Sequence, residues 1–398
     1  MMLNNRIGSL FRFCPTTVSV SVLILATVGV FIQTEGASWD VMSHLLRRPE
    51  TFFTPSHTML YAGVGLLTIA ATISVYLLRK NGKEIRIESF STALKLLIIG
   101  SAVSLVAGPS DYLWHQTFGV DGLLSPTHLT LVTGMLINSI AVVLGLARII
   151  VHLPIVRQRI LVKAAMVPAF SAMWVTMIWY VYMFALPLSD GQHFNFNLNP
   201  IHEIIISIIA LPTIGSVIFV TASRTIGGFG SATAVTALLL VMNSFANIMP
   251  SSQLMPFISW YLMLIVPAVL ADLIINMSVI LRKSKNMLNA DDRLAIISGA
   301  VIGSIFYMIG YPMLPITFAE PLSYTFHSIN DISVNFVRTL PFVFIFTAIP
   351  AVAMGIIGSI ISVKKIRVPN RRNVTSSIYL KREIMNCNNN NNKNNSSR

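Results

Sequence analysis

The chain has 398 residues, of which 54% are apolar and only 11% are charged, and its formal net charge is +13. Soluble domains carry about 25% charged residues, so this composition excludes an ordinary water-soluble fold. The basic residues stand beside long apolar runs, where they orient membrane helices, and the charge therefore does not predict nucleic-acid binding. The two cysteines, Cys14 and Cys387, lie near opposite ends and predict neither a disulfide framework nor a thiolate metal site.

The apolar runs predict an all-α transmembrane bundle of about ten spans, because each run is near the roughly 20 residues that cross a bilayer. In chain order the spans cover residues 16–35, 57–79, 90–109, 126–150, 161–186, 201–222, 231–249, 256–281, 294–314 and 338–363. Consecutive spans pair into five helical hairpins at 16–79, 90–152, 161–222, 231–282 and 294–363. Residues 1–15 precede the bundle, and the tail 364–398 is first basic and then rich in asparagine, which predicts disorder.

The basic residues predict the orientation of these spans. Every second connection between spans is rich in basic residues, as is the one with Lys83 and Arg86. In the connections between these, the only Lys or Arg residues are Arg47, Arg48 and Arg338. The positive-inside rule then places both termini in the cytoplasm of a multi-pass protein of the cell membrane, in contact with lipid. On this topology the histidines on the outer side are His44, His57, His115, His128, His193, His202 and His327. We therefore expect binding or chemistry at the outer face.

One spaced motif occurs twice. Its form is Asp-x3-His-x10-Pro-x-His, and the second copy follows the first at an offset of 71 residues. The residues concerned are Asp40, His44, Pro55 and His57 in the first copy and Asp111, His115, Pro126 and His128 in the second. Since Asp and His are rare in this chain, two matches by chance are improbable. The repeat predicts two copies of one hairpin that pack side by side, so that His44, His57, His115 and His128 converge in one polar pocket near the outer interface.

Each copy gathers two imidazoles and one carboxylate, which is a ligand set for a transition metal. An Asp and a His four residues apart lie on one face of a helix. Thr54-Pro55 and Ser125-Pro126 each predict a helix start, with the following His in the first turn. The predicted metal ligands are Asp40, His44, His57, Asp111, His115 and His128. Copper(II) binds such sites most tightly, while zinc and non-haem iron remain alternatives. The competing interpretation is that these residues only form helix caps and hydrogen bonds.

Other polar residues carry weaker signals. We interpret His193, His202, Glu203 and His327 either as groups that support the metal ligands or as ordinary hydrogen-bonded residues. Asp272 lies within an apolar span, where a carboxylate is expensive, and both a structural and a proton-relay role are open.

The segment EGASWDVMSH, from Glu35 to His44, and the segment TFFTPSH, from Thr51 to His57, resemble the C subunit of particulate methane and ammonia monooxygenases. In that family an Asp, a His four residues later, and a His at a similar helix start bind copper at the membrane. The resemblance therefore implies a copper site at Asp40, His44 and His57, monooxygenase-like activity, and further membrane subunits as partners.

Three functions remain open from the sequence. The first is a copper-dependent membrane oxidoreductase, for which no catalytic residue is assigned. The second is a metal transporter or metal-handling protein, against which the scarcity of polar residues within the spans argues weakly. The third is a haem protein with two axial histidines, for example His57 and His128, although haem does not require Asp40 and Asp111 at fixed spacing.

Overall fold

The structure is a computed structural model that describes residues 15–46, 48–49, 51–81, 90–119, 124–153, 156–185, 200–252, 255, 258, 262–281, 293–305 and 347–365. These residues form ten helices and no strand. The helices are α1 Pro15–Leu45, α2 Pro55–Asn81, α3 Phe90–Phe118, α4 Pro126–His152, α5 Val156–Ala185, α6 Pro200–Ile226, α7 Ser231–Ile248, α8 Ile265–Leu281, α9 Arg293–Ile305 and α10 Thr347–Lys364. The all-α prediction is therefore confirmed.

Eight of these helices, all but α8 and α9, are long and apolar enough to cross a membrane. Large apolar side chains such as Ile69, Leu113 and Ile349 are exposed on the outside of the bundle, as expected of a surface in contact with lipid. The chain thus has the character of a multi-pass membrane protein.

Two helices extend beyond their predicted ends, and both extensions carry site residues. The first span was predicted to end at residue 35, but α1 continues to Leu45. The third was predicted to end at 109, but α3 continues through Pro109 to Phe118. A proline removes one backbone hydrogen bond, yet membrane helices tolerate it where neighbouring groups compensate. The helices α8, α9 and α10 are shorter than the last three predicted spans, and most of the residues that make up the difference lie outside the described residues.

The first four helices form a bundle that places the site. α1 packs along α2, α3 packs along α4, and α2–α3 and α1–α4 contacts join the two hairpins. α5 packs on α1 and α4, and α7 packs on α1 and α5. The largest fully buried side chains, including Trp174, Phe170 and Phe219, lie where α5 and α6 meet.

Glycines set how closely the helices of each hairpin approach. A Cβ at Gly63 of α2 would overlap the backbone of Gln33 in α1. At the same 71-residue offset, a Cβ on Gly134 of α4 would lie 2.9 Å from the backbone nitrogen of Ser104 in α3. Such close contact is possible only where one residue lacks a side chain. The glycine in each hairpin therefore holds the start of its second helix against the end of its first.

Asp272, in α8, is fully buried and caps a neighbouring helix. Its two carboxylate oxygens accept hydrogen bonds from the backbone N–H of Ala232 (3.1 Å) and of Thr233 (2.8 Å), and from the hydroxyls of Thr233 (2.7 Å) and Ser223 (3.2 Å). The residue before α7, Gly230, has no side chain that could cap the helix. Asp272 supplies this cap from another helix, and of the two roles open from the sequence its contacts support the structural one.

Candidate metal centre

The six predicted ligands lie at one end of the four-helix bundle. Asp40 and His44 occupy the last turns of α1, and His57 follows in the first turn of α2. Asp111 and His115 occupy the last turns of α3, and His128 follows in the first turn of α4. Five of them are buried, with at most 8% of each residue exposed, and His115 is partly buried.

The first motif closes around the carboxylate of Asp40. Its Oδ2 lies 3.2 Å from His44 Nε2, and its Oδ1 lies 2.9 Å from His57 Nε2. The hydroxyl of Ser56 donates a hydrogen bond of 2.8 Å to the same Oδ1. Two helices thus present three side chains to one small volume.

The second motif has the same arrangement around Asp111. Its Oδ2 lies 3.4 Å from His115 Nε2, and its Oδ1 lies 3.3 Å from His128 Nε2. The hydroxyl of Thr127 donates a hydrogen bond of 2.7 Å to Oδ1, and Thr127 stands 71 residues after Ser56. The contacts of one hairpin therefore recur in the other, residue for residue.

The two motifs meet at His44. Its ring centroid lies 6.2 Å from that of His57, 4.8 Å from that of His115 and 5.6 Å from that of His128. Two groups of three side chains have ligand atoms close enough to hold a metal ion, namely Asp40, His44 and His57, and His44, His115 and His128. The sequence predicted that the motif histidines converge, with one ion in each Asp/His/His triad. The histidines do converge, but the packing of α1 against α4 makes His44 common to both groups, and Asp111 belongs to neither.

Hydrogen bonds on the other ring nitrogen fix the tautomer of two histidines. His57 Nδ1 lies 2.9 Å from the carbonyl oxygen of Thr51, and His115 Nδ1 lies 3.2 Å from the carbonyl oxygen of Gly119. A carbonyl can only accept, so each Nδ1 carries a proton and donates. In a neutral ring Nε2 then has a lone pair, which faces a carboxylate oxygen. Two electron-rich atoms at this distance need a proton or a metal ion between them.

The distances fit a metal ion. The carboxylate oxygens and the Nε2 atoms lie 2.9–3.4 Å apart. These are distances of hydrogen-bonded pairs, and they also suit ligands of one ion, because ligand atoms about 2.0–2.2 Å from an ion are separated by roughly 3–3.5 Å. His115 Nε2 is buried and makes no hydrogen bond to the described residues. Histidine ligands characteristically donate their second N–H to a carbonyl or carboxylate, as His57 and His115 do.

A narrow cleft reaches the cluster from the side of α5. It is lined by Ala37, Asp40, Val41, His128, Leu131, Val132, Met135, Trp179 and Met183. Its volume of about 30 Å³ holds one or two molecules the size of water. Asp40 and His128 both line it, so a small molecule in this cleft would lie against both motifs.

The weaker predicted residues fall where the structure gives no description of their side chains. His193 and His327 lie outside the described residues, as do the side chains of His202 and Glu203 at the start of α6. Conversely, sequence reasoning missed the hydroxyls of Ser56 and Thr127. The signal was available, because each of them immediately precedes a motif histidine and both copies have a hydroxyl residue there.

Comparison with known proteins adds no relative to this picture. No protein-family model, no curated protein and no solved structure matches the chain. The residues and their geometry alone therefore carry the functional argument.

Proposed function

We propose that this protein is a membrane metalloprotein whose His/Asp cluster binds transition metal ions, with copper as the preferred metal. The observation that carries the proposal is the convergence of ligand atoms from both motifs into two groups that meet at His44, each close enough together to hold a metal ion. Copper is favoured because Cu(II) binds nitrogen and oxygen ligands most tightly among the common divalent metals.

We further propose that the two hairpins are copies of one ancestral unit. Three kinds of contact recur at the 71-residue offset: the carboxylate with its two imidazoles, the hydroxyl that donates to the carboxylate, and the glycine at the helix crossing. The last of these lies away from the motif, so the agreement extends beyond the motif residues themselves.

The best-supported activity is that of an oxidoreductase acting on a small molecule. Copper bound in the cluster would supply one-electron chemistry. Asp40 and His128 would hold and orient the ion from opposite motifs, while the apolar side chains of the cleft would exclude bulk water. The cleft suits a small, weakly polar molecule such as dioxygen. This proposal agrees with the resemblance to membrane copper monooxygenases.

Metal transport remains a second candidate because polar groups gather beneath the cluster. The side-chain amide of Gln33 donates to Ser104 Oγ (3.0 Å), and that of Asn138 donates to the same atom (3.4 Å). Gln33 precedes Asp40 by seven residues, so this layer lies about 10 Å below the site. An apolar layer of Ala37, Leu60, Val64, Ala107, Leu131 and Met135 separates the two. Transport would require this apolar layer to open.

A haem with two axial histidines is the weakest candidate. The cleft at the cluster has a volume of about 30 Å³, whereas sites for molecules of drug size or larger occupy roughly 300–1,000 Å³. The histidines also contact one another directly, which leaves no slot for a macrocycle between them.

Metal analysis of the purified full-length protein tests the proposal. We expect copper to copurify or to bind on titration, and a His57→Ala, His128→Ala double variant to lose it. His152→Ala is the matched control, because His152 ends the helix that begins near His128, about 36 Å away along α4. A double variant that binds as much copper as His152→Ala would refute the metal site and leave the motifs as hydrogen-bonded helix ends.

A further inference from the structure

Glu35 of α1 is a buried carboxyl group that the metal cluster does not use. Only 4% of the residue is exposed, and neither carboxyl oxygen has a hydrogen-bond partner among the described residues. The hydroxyls of Thr34 and Ser38 beside it are also buried and also lack partners there. Buried polar groups are nearly always hydrogen-bonded to protein or to water, so three neighbouring exceptions point to water molecules held at this place.

Within the part of the chain that the structure describes, the helices around Glu35 place no Lys or Arg near it. One turn later on α1, Trp39 packs edge-to-face on Phe245 of α7, with ring centroids 5.7 Å apart, which places Glu35 towards the same neighbour. The sequence of α7 has no ionisable residue. Helix α5 has three basic residues, Arg157, Arg159 and Lys163. They lie in its first turns, at the end of the bundle opposite the cluster. The nearby ionisable residues of α1, α2, α4 and α5 are those of the cluster and the tyrosines Tyr61, Tyr180 and Tyr182.

The second hairpin shows that this architecture does not need the carboxyl group. At the 71-residue offset Glu35 corresponds to Val106, which is 64% exposed on the outer surface of α3. Thr34 and Ser38 correspond to Leu105 and Pro109. Thr34, Glu35 and Ser38 therefore have no polar counterparts in α3, and they occur in the helix that α5 and α7 cover. An ionised carboxylate is costly to bury without a partner, whereas a neutral acid bonded to water is much less so.

We propose that Glu35 is a proton-exchanging acid of this protein. It is held as a neutral carboxylic acid, and its O–H donates to water kept in place by the hydroxyls of Thr34 and Ser38. Glu35 stands five residues before Asp40, which is about 7.5 Å along the helix. When a metal cation enters the cluster, its positive charge favours the transfer of the acid proton to this water, which leaves a carboxylate and a hydronium ion that carries the proton away. This second step rests on the proposed metal function, whereas the first does not.

Labelling with a lipophilic carbodiimide tests the first step, because this reagent modifies protonated carboxyl groups within membranes. In the full-length protein in lipid nanodiscs, we expect mass spectrometry to find an adduct at Glu35 and none in a Glu35→Gln variant. Asp272 is the internal control, because it is equally buried but accepts four hydrogen bonds as a carboxylate and should stay unlabelled. Absence of an adduct at Glu35, under conditions that label it in denatured protein, would overturn the proposal.

Proton release on metal binding tests the second step. Copper(II) is added to the wild type and to Glu35→Gln in weak buffer, and protons released are counted per ion bound. Because Glu35 is no ligand, both proteins should bind equal copper, while the variant should release up to about one proton fewer per ion. Equal proton release would overturn the coupling. Should the variant fail to fold, carbodiimide-modified wild type replaces it. Absence of copper binding would refute the metal function, while the labelling result would still decide the state of Glu35.

Discussion

The ring orientation of the motif histidines depends on residues that are not ligands themselves. The backbone carbonyls of Thr51 and Gly119 accept hydrogen bonds from Nδ1–H of His57 and His115, which turns each Nε2 towards a carboxylate. The hydroxyls of Ser56 and Thr127 hold the carboxylates in turn. Such supporting contacts fix the tautomer and orientation of a ligand before any metal arrives.

Removing His44 should affect metal binding more than removing any other single histidine. His44 belongs to both candidate groups, whereas His57 belongs only to the first and His115 only to the second. We expect His44→Ala to lower the bound copper more than either His57→Ala or His115→Ala, because each of the latter leaves one candidate group intact. The measurement is copper per protein by elemental analysis. Equal losses in all three variants would contradict a shared ligand.

The hydroxyls that support the carboxylates should tune affinity without abolishing binding. Ser56→Ala removes a hydrogen bond to Asp40, a member of the first group, so we expect copper affinity at that group to fall by about 10- to 100-fold. Thr127→Val removes the matching hydrogen bond to Asp111, which is outside the second group, so its effect should be smaller. Titration with a competing chelator measures this change. Thr58→Ala is the control, because Thr58 is exposed and its hydroxyl donates to the carbonyl of Phe53 rather than to a carboxylate. An effect of Thr58→Ala as large as that of Ser56→Ala would argue against the supporting role.

At the scale of helices, the site depends on how two hairpins cross. The ligands of each motif come from the end of one helix and the start of the next, and a glycine in each second helix allows the close approach. Helix length matters as well, because α1 and α3 must continue past their apolar cores to present Asp40 and Asp111.

Gly63→Ala should therefore disturb both stability and metal binding. The added methyl group would overlap the backbone of Gln33, and overpacking of this kind costs about 1–3 kcal/mol. We expect a lower unfolding temperature in detergent and weaker copper binding, since α2 must move away from Asp40. Gly65→Ala is a matched control on the same helix, because a Cβ there meets no atom within 4 Å. Similar behaviour of the two variants would show that the crossing does not depend on Gly63.

Asp272→Ala should destabilise the bundle while leaving the metal cluster intact. The variant removes the cap of α7 and leaves two backbone N–H groups buried without an acceptor, which costs about 2–4 kcal/mol. Thermal unfolding measures the loss, and copper content should stay at the wild-type value below the transition. A large loss of copper at full stability would instead give Asp272 a functional role.

At the scale of the whole molecule, eight membrane-length helices place the cluster near one surface of the bundle. The distribution of basic residues predicts that this surface is the outer one. Copper would then reach the cluster from outside the cytoplasm, and the basic connections would lie inside.

Cysteine labelling tests this orientation. In a background without Cys14 and Cys387, a membrane-impermeant maleimide should modify Glu50→Cys or Asp121→Cys in intact cells, because both positions adjoin the site end of the bundle. The same reagent should not modify Glu84→Cys or Met287→Cys until the membrane is opened. The reverse pattern would place the cluster on the cytoplasmic side.

The sequence by itself determined the membrane class, the positions of most helices and the identity of the six candidate ligands. These follow from local properties, namely apolar runs of membrane length and a motif whose spacing fits one helix turn. Most of the two predicted tails, residues 1–14 and 366–398, lies outside the described residues.

The tertiary structure decided which of these residues meet. That His44 contacts His115 and His128 depends on α1 packing against α4, and no spacing within one hairpin encodes this contact. Likewise, Glu35 is buried and Val106 is exposed at corresponding positions, because α5 and α7 cover only the first hairpin. The burial of Glu35 and the convergence of the histidines both arise from contacts between residues far apart in the chain. The two hairpins therefore share one sequence pattern but pack against different neighbours.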